Sequence, residues 1–350
     1  MNRQHPLLIS ALVISPLSLA NVDVGDNIAL SGFGSTSWAK SDNPTPLLIN
    51  REISDTSCFD CDTTFGLQLD LFYEGFKASA QLVKRPQDKW SDPELEWAYL
   101  AYNNDHWNFK IGRLRNPLFL YSEYYYVGQA YTPARPPEEV YNSILGITFY
   151  EGASVTYSHD FGDQYTLSLT PFAGLEDSRQ IELNDDTLLE LETDQLLGLN
   201  VTFSSDNYRW NFSYLKSKYD QKVTLFNRFV EEEKDNTIEL FSLGTEYEFN
   251  SLTLSAEAQK NDRNYSWYLL ASNRIEQWTP YISFAQQLNN DDGLNGQSVR
   301  VGTRYDIHYN VSLNLEWQQF YANDQQTGEF IATPNEQDAN LFTVMLNFVF

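Results

Sequence analysis

The chain has 350 residues, of which 42% are apolar and 20% are charged, so its composition is that of a folded protein rather than a disordered one. It carries 23 basic and 48 acidic residues, for a net charge of −25, and this argues against nucleic acid as a partner, because phosphate backbones need a basic footprint. The mean hydropathy of −0.45 excludes a bundle of membrane helices, but it is compatible with a membrane barrel, in which apolar and polar residues alternate.

Residues 1–20 have the pattern of a secretory signal peptide. Arg3 precedes an apolar stretch from Leu7 to Leu19, and small residues stand at the −3 and −1 positions of a cleavage site after Ala20. The alternative, a membrane helix, needs about 18 consecutive apolar residues, and this stretch is shorter. We therefore expect export of the chain and a mature protein that comprises residues 21–350.

The two cysteines, Cys58 and Cys61, are separated by two residues. In an exported chain they meet an oxidising compartment. A thioredoxin-like motif would need a βαβ context, and a zinc site would need two further ligands nearby; the surrounding sequence supplies neither. The pair therefore predicts a small loop closed by a disulfide, and we expect no metal site and no cofactor.

From Asn27 onward, apolar and polar residues alternate in segments of about ten, which is typical of β-strands. In one segment Phe65, Leu67 and Leu69 share a face. Seven short connections alternate with eight long ones, so the pattern predicts sixteen antiparallel strands of the length that crosses a bilayer at a tilt. The long connections are expected near residues 39–62, 84–94, 114–143, 173–194, 217–237, 260–264, 289–296 and 321–339.

Aromatic residues stand beside the predicted short turns, as at Tyr73, Phe76 and Trp107, and this placement is typical of the interfacial girdle of a membrane barrel. The last segment carries apolar residues on one face and ends at Phe350. In these features the sequence resembles Gram-negative outer-membrane porins. The resemblance implies an all-β transmembrane barrel in the bacterial outer membrane, in contact with lipid and lipopolysaccharide. It also implies a homotrimer, and a terminal Phe350 that the barrel assembly machinery reads.

The third long connection, at about residues 114–143, is rich in tyrosine, proline and charge. In porins the loop after the fifth strand folds into the barrel and narrows the pore, and this connection occupies that place. It lacks the short acidic motif with glycine that general enterobacterial porins have there. The alternative is an external loop that packs on its own aromatic residues.

Alternate residues along each strand face the lumen and the lipid. A charge on the lipid face costs roughly 2 to 4 kcal/mol near the midplane, so the positions of the charged residues identify the lumen face. Basic residues fall on the polar face. Glu151 has the parity of the lipid face, which predicts either a bulge at Glu151 and Gly152 or a position covered by protein. The expected pore-lining and constriction residues are Lys77, Lys110, Arg113, Arg115, Glu123, Arg135, Glu138, Glu139, Arg209, Arg300, Arg304 and Glu316.

These features favour a water-filled channel for passive diffusion of small hydrophilic solutes. Two alternatives remain, namely a substrate-selective channel with a binding site on the third loop, and a non-conducting structural or adhesive barrel. Catalysis is not expected, because His106, His159 and His308 all lie at short turns. A transporter with a plug domain would need a larger barrel.

Overall fold

The computed structural model describes residues 22–23, 27–86, 93–144, 148–162, 164–184, 187–225, 228–291 and 293–350. The predicted signal peptide, residues 1–20, lies outside these ranges, as does the predicted cleavage site. Within them, no helix has the length and apolar character needed to cross a membrane.

Sixteen antiparallel strands in the described ranges form a closed barrel, which confirms the fold that the alternation predicts. Each strand pairs with the next along the chain, and the first also pairs with the last, with Phe33 opposite Val349. The strands are β1 (Ile28–Ser41), β2 (Thr64–Tyr73), β3 (Phe76–Lys84), β4 (Glu94–Asn103), β5 (Trp107–Arg115), β6 (Phe149–Phe161), β7 (Tyr165–Gly174), β8 (Thr187–Ser205), β9 (Tyr208–Leu225), β10 (Arg228–Phe249), β11 (Leu252–Lys260), β12 (Asn264–Asn273), β13 (Trp278–Asn289), β14 (Leu294–His308), β15 (Val311–Ala322) and β16 (Asp338–Val349).

Side-chain alternation explains why these segments close into a barrel. On β2, Leu67 and Leu69 remain 40% and 42% exposed on the outside, where lipid would contact them, whereas Asp70 points inward and is buried. A slip of one residue would exchange these two faces, so the apolar pattern also fixes the register between strands.

One end of the barrel carries the short turns and is here called the turn end; the opposite end, with the long connections, is called the loop end. Aromatic rings from neighbouring strands meet at the turn end, as in the pair Phe76 and Tyr102, whose ring centroids are 4.9 Å apart. Trp278 and Tyr305 form a similar pair at 4.5 Å. The rings therefore form the girdle that the sequence predicts at a membrane surface.

Two of the predicted long loops are mostly strand. Residues 177–184 form an additional strand (Asp177–Asn184) that pairs with β8 outside the barrel, and β8, β9 and β10 extend to 19, 18 and 22 residues. About ten residues cross a bilayer, so these strands project beyond it as a sheet. Their acidic composition suggests a loop, but apolar residues still alternate there, as at Leu189 and Leu191. The predicted long connection near residues 260–264 is a short turn between β11 and β12.

The first long connection folds over the loop end of the barrel. It contains the paired short strands Leu47–Leu48 and Glu52–Ile53, whose apolar side chains pack with Phe320 and Phe330. The sulfurs of Cys58 and Cys61 are joined as a disulfide. Cys58 also exchanges two backbone hydrogen bonds with Ala39 of β1, at 2.8 and 2.9 Å. The connection is thus attached to the barrel wall.

The end of the chain closes the barrel against β1. The backbone groups of Phe350 and Gly32 exchange two hydrogen bonds, each of 2.8 Å. The Phe350 ring lies over Gly32 so closely that a Cβ atom there would come within 2.3 Å of the ring. Only glycine therefore leaves room for this ring on the barrel surface.

Candidate functional site

The described part of the segment between β5 and β6, residues 116–144, lies inside the barrel and is here called the inner loop. It contains a short helix, α1 (Glu138–Tyr141). Where the loop leaves β5, the Pro117 carbonyl oxygen accepts hydrogen bonds from Asn200 Nδ2 at 3.0 Å and from Ser213 Oγ at 2.7 Å. Both donors face inward, on β8 and β9, so the start of the loop lies against the inner surface of these two strands.

Glu257 of β11 holds the loop at two points that are distant in sequence. One carboxylate oxygen accepts from the Leu120 backbone N–H at 2.8 Å, and the other accepts from the Tyr141 hydroxyl at 3.1 Å. The Tyr268 hydroxyl donates to the same carboxylate at 3.3 Å. Glu257 is only 2% exposed, so the loop and the wall together exclude it from water.

The middle of the loop reaches the opposite part of the wall, on β14 and β15. Arg304 donates to the Gln129 and Tyr131 carbonyl oxygens, each at 3.1 Å. Asn314 Nδ2 donates to the Thr132 carbonyl oxygen at 2.8 Å, and Ser312 Oγ donates to the Gln129 side chain at 2.9 Å. These bonds satisfy backbone carbonyls that would otherwise be buried without partners.

Arg135 joins the inner loop to the first long connection. Its Nε and Nη2 atoms donate to the two carboxylate oxygens of Asp62, at 2.7 and 2.5 Å. Its Nη1 atom donates to the Thr343 hydroxyl of β16 at 3.1 Å. Arg135 and Asp62 are both almost fully buried, and the bidentate geometry is the one in which a guanidinium binds a carboxylate most strongly.

Arg300 forms a second buried cluster beside the first. Its Nη2 atom lies 2.5 Å from a Glu138 oxygen of α1, and its Nη1 atom donates to the Arg135 carbonyl oxygen at 2.7 Å. Glu316 of β15 accepts from the Ala134 backbone N–H at 3.1 Å. Burial and the adjacent Glu138 carboxylate raise the pKa of Glu139 to about 7.

Three tyrosines of the loop, Tyr121, Tyr125 and Tyr141, pack on each other. The rings of Tyr121 and Tyr141 are stacked with centroids 6.1 Å apart, and the rings of Tyr125 and Tyr141 are stacked at 5.9 Å. Phe119 adds a tilted contact to Tyr141 at 5.0 Å. This apolar cluster gives the loop a core of its own.

Eleven of the twelve residues that the sequence predicts for the pore fall into three groups. The inner loop buries five of them and largely covers two more, Arg115 and Arg304; the five are Arg135, Glu138, Glu139, Arg300 and Glu316. Glu123 remains exposed on the loop. Near the turn end, Lys77, Lys110 and Arg209 face inward and keep partial exposure.

Arg113 does not face the lumen as expected. Its place in the alternation of β5 is an outward one, and it forms an ion pair with Glu151 at 2.5 Å. The guanidinium lies 4.2 Å from the centroid of the Phe149 ring. The register runs past Glu151 without a shift, so the expected bulge is absent at this position, and Arg113 covers the carboxylate instead.

Several residues that hold the loop have no distinct signal in the sequence. Asp62, Gln129 and Asn314 are single polar residues whose partners are far along the chain. Glu96 is also a key partner, since it binds Arg115 of β5 and Arg85 and has no exposed surface. Glu96 has the parity of the outward-facing Leu100 and Tyr102, but the register between β3 and β4 shifts beside it, so strand parity predicts neither its burial nor its partners.

The wall that the inner loop does not cover remains polar and partly exposed. On β6 and β7 four inward-facing residues bear hydroxyl groups and bond in pairs: Thr156 with Thr170, and Ser158 with Ser168, each at 2.9 Å. All four keep intermediate exposure, whereas the inward residues of β8 to β16 near the loop are buried. The arrangement can hold water along this side of the lumen.

No protein-family model matches the sequence, and no curated protein sequence matches it. Solved structures of the same fold do exist. An anion-selective porin from Comamonas acidovorans aligns with a TM-score of 0.63 and 14% identity, over 92% of this chain and 99% of that chain. OmpF of Salmonella typhi, in complex with daunomycin, aligns with a TM-score of 0.63 and 13% identity, over 94% and 100%. The trimer form of OmpT, an outer-membrane protein of Vibrio cholerae, aligns with a TM-score of 0.57 and 11% identity, over 93% and 100%.

At these identities the likeness concerns the fold, and it agrees with the closed barrel. The chain therefore has the fold of the bacterial outer-membrane porins, with a long loop bound inside a sixteen-stranded barrel.

Proposed function

We propose that this chain is an outer-membrane channel through which small hydrophilic solutes and ions diffuse passively, and that the inner loop narrows the passage. The observation that carries the proposal is that the loop is fixed inside the lumen but leaves part of the wall uncovered. Its bonds to Asn200, Glu257 and Arg300 fix it to strands between β8 and β14, while hydroxyl-bearing residues of β6 and β7 keep partial exposure. A polar lumen with a fixed obstruction is the arrangement that sieves solutes by size.

In this proposal the turn end faces the periplasm and the loop end faces the outside. The protein acts as a homotrimer, as the Vibrio cholerae relative does in its trimer form. Lipid and lipopolysaccharide surround the barrel, and the barrel assembly machinery recognises the strand that ends at Phe350. No reaction is catalysed, and no cofactor takes part.

The inner loop argues against a substrate site built from its own arginine and tyrosines. Arg135 is bound to Asp62, and Tyr121, Tyr131 and Tyr141 are buried in the loop core, so none of them is available to a passing solute. This favours diffusion over a binding site on the loop.

The test is reconstitution of the folded protein in planar bilayers and in liposomes. We expect stepwise single-channel conductance in KCl, and liposome swelling rates that fall as the sugar in the medium becomes larger. A barrel that inserts, as judged by its heat-modifiable mobility on gels, but shows no conductance would overturn the proposal in favour of a structural or adhesive barrel. Swelling with one sugar out of a size-matched set would indicate a substrate-selective channel instead.

A further inference from the structure

Two lysines lie side by side on the lumen wall, on the turn-end side of the inner loop. Lys77 of β3 and Lys110 of β5 are both register partners of Ala101 on β4. Adjacent strands are about 4.8 Å apart, so the two lysine backbones are about 10 Å apart, on either side of β4. Ala101, which is buried, presents only a methyl group between them.

An aromatic ring supports each ammonium group. Lys110 Nζ lies 5.4 Å from the centroid of the Tyr99 ring, and Lys77 Nζ lies 5.4 Å from the centroid of the Phe72 ring. A ring orients an ammonium group but leaves its full charge available. Asp70 lies 3.0 Å from Lys77 and neutralises part of that charge. In the ranges that the structure covers, no carboxylate lies within 4.0 Å of Lys110 Nζ.

The other inward-facing cations already have partners. Arg300 is bound to Glu138, Arg304 to Asp306, and Arg209 lies 3.7 Å from Glu246. The inner loop also covers the first two. Lys110, with Lys77 beside it, is thus the main positive charge that a solute in this part of the lumen can reach.

We propose that Lys77 and Lys110 form a binding step for small organic acids, with Tyr99 positioning the Lys110 ammonium. This inference rests on the proposed channel function and specifies the solute class that the passage favours. A dicarboxylate is the best fit, because its two carboxylates can contact both ammonium groups across Ala101. Each contact is a charge-assisted hydrogen bond in a wall of reduced dielectric, which binds an anion while the open lumen still allows release.

The experiment measures block of the KCl current by succinate in planar bilayers. The variants are Lys77→Gln, Lys110→Gln and the double variant. Lys40→Gln is the matched control, because Lys40 is an exposed lysine on the outer face of β1. Heat-modifiable mobility verifies that each variant folds. Erythritol, which has a similar length and no charge, serves as the control solute.

We expect succinate to reduce the wild-type current, and the half-blocking concentration to rise about tenfold in the double variant, which corresponds to the loss of one strong contact. The same variant is expected to shift the reversal potential toward cation preference in a KCl gradient, and Lys40→Gln is expected to match wild type. A channel that conducts but shows the same succinate block with and without the lysines overturns this inference alone. A folded wild type without conductance overturns the proposed function as well.

Discussion

Asp62 and Arg135 form a bidentate ion pair in which the first long connection holds the inner loop. Ser37 and Asn50 also donate to the Asp62 carboxylate, so four donor atoms converge on it. Burial alone would raise the pKa of Asp62, but the Arg135 guanidinium holds the pKa below its usual value. The carboxylate therefore keeps its charge inside the protein, and its position determines where the second half of the loop lies.

Replacement of Asp62 is predicted to release the inner loop. Asp62→Asn removes the bidentate partner of the buried Arg135 guanidinium and leaves it facing the Glu316 carboxylate, 3.9 Å from Nη1. Breaking a buried ion pair in this way costs about 3 to 5 kcal/mol, and the remaining Glu316 charge places the expected cost at the lower end. We expect larger and noisier single-channel currents, together with new protease cleavage within residues 116–144. Asp60→Asn is the control, because Asp60 lies two residues away and pairs with Arg51 in a more exposed position. Wild-type currents and protease resistance in Asp62→Asn would show that the pair does not position the loop.

Loss of the disulfide is predicted to loosen the inner loop, as Asp62→Asn does, but more weakly. Cys61 precedes Asp62 directly, and the disulfide connects it to Cys58, which is bonded to Ala39 of β1. The ring is short, so its effect is local rigidity rather than global stability. Cys58→Ser with Cys61→Ser is expected to increase current noise without lowering the amount of folded barrel, and a reductant added to wild type is expected to reproduce this. A reductant effect of equal size on the double serine variant would rule out the disulfide as its cause.

The stability of the barrel is predicted to fall as the pH rises from about 4.5 to about 7, partly because of Glu139. Its ordinary pKa is 4.5, and in the folded protein burial and the Glu138 carboxylate raise the pKa to about 7. Over this range the folded state holds a proton that the unfolded state has lost, so each increase in pH favours unfolding. Burial and the nearby Glu139 carboxylate also raise the pKa of Glu329, and this adds to the fall of stability with rising pH.

Thermal unfolding in detergent micelles between pH 4 and pH 8 tests this prediction. Glu139→Gln is expected to reduce the dependence of the melting temperature on pH. Glu123→Gln is expected to retain it, because Glu123 is exposed on the same loop. If the melting temperatures of Glu139→Gln and wild type changed in parallel with pH, the assignment of this pH dependence to Glu139 would be refuted.

Deletion of Phe350 is predicted to lower the amount of folded barrel in the outer membrane. The deletion removes the ring that covers Gly32 and the two backbone hydrogen bonds that join the chain end to β1. Under the proposed function it also removes the residue that the assembly machinery reads. Phe342→Ala is the control, since Phe342 is an exposed outward residue of the same strand. Surface-exposed, heat-modifiable protein at normal abundance in the deletion variant would contradict the prediction.

The strands can be predicted from the sequence because the two faces of a barrel wall contact different solvents. Each outward position meets lipid and each inward position meets water or the loop, so the alternation at Phe65, Leu67 and Leu69 identifies a strand on its own. The length of β8 to β10 is harder to predict, because outside the bilayer the outward face is no longer apolar. There Lys222 of β9 forms an ion pair with Glu190 of the adjacent β8, and strands with many such charged residues have the composition of a loop.

The position of the inner loop depends on contacts that the sequence pattern does not contain. Leu120 is bonded to Glu257, 137 residues away, and Arg135 to Thr343, 208 residues away. Parity places Arg300 and Glu316 on the inner face, but it does not show that the loop covers them. For this reason the residues expected to line the pore include several that instead anchor the loop, whereas Lys77 and Lys110 keep partial exposure.

The inner loop makes side-chain hydrogen bonds to β8, β9, β10, β11, β14, β15 and β16. These strands lie on different sides of the barrel circumference, so the loop acts as an internal brace between them. Lateral pressure from the bilayer tends to flatten a hollow cylinder, and a brace bonded at many points resists that deformation. The cross-section of this barrel is therefore expected to depend little on the lipid around it.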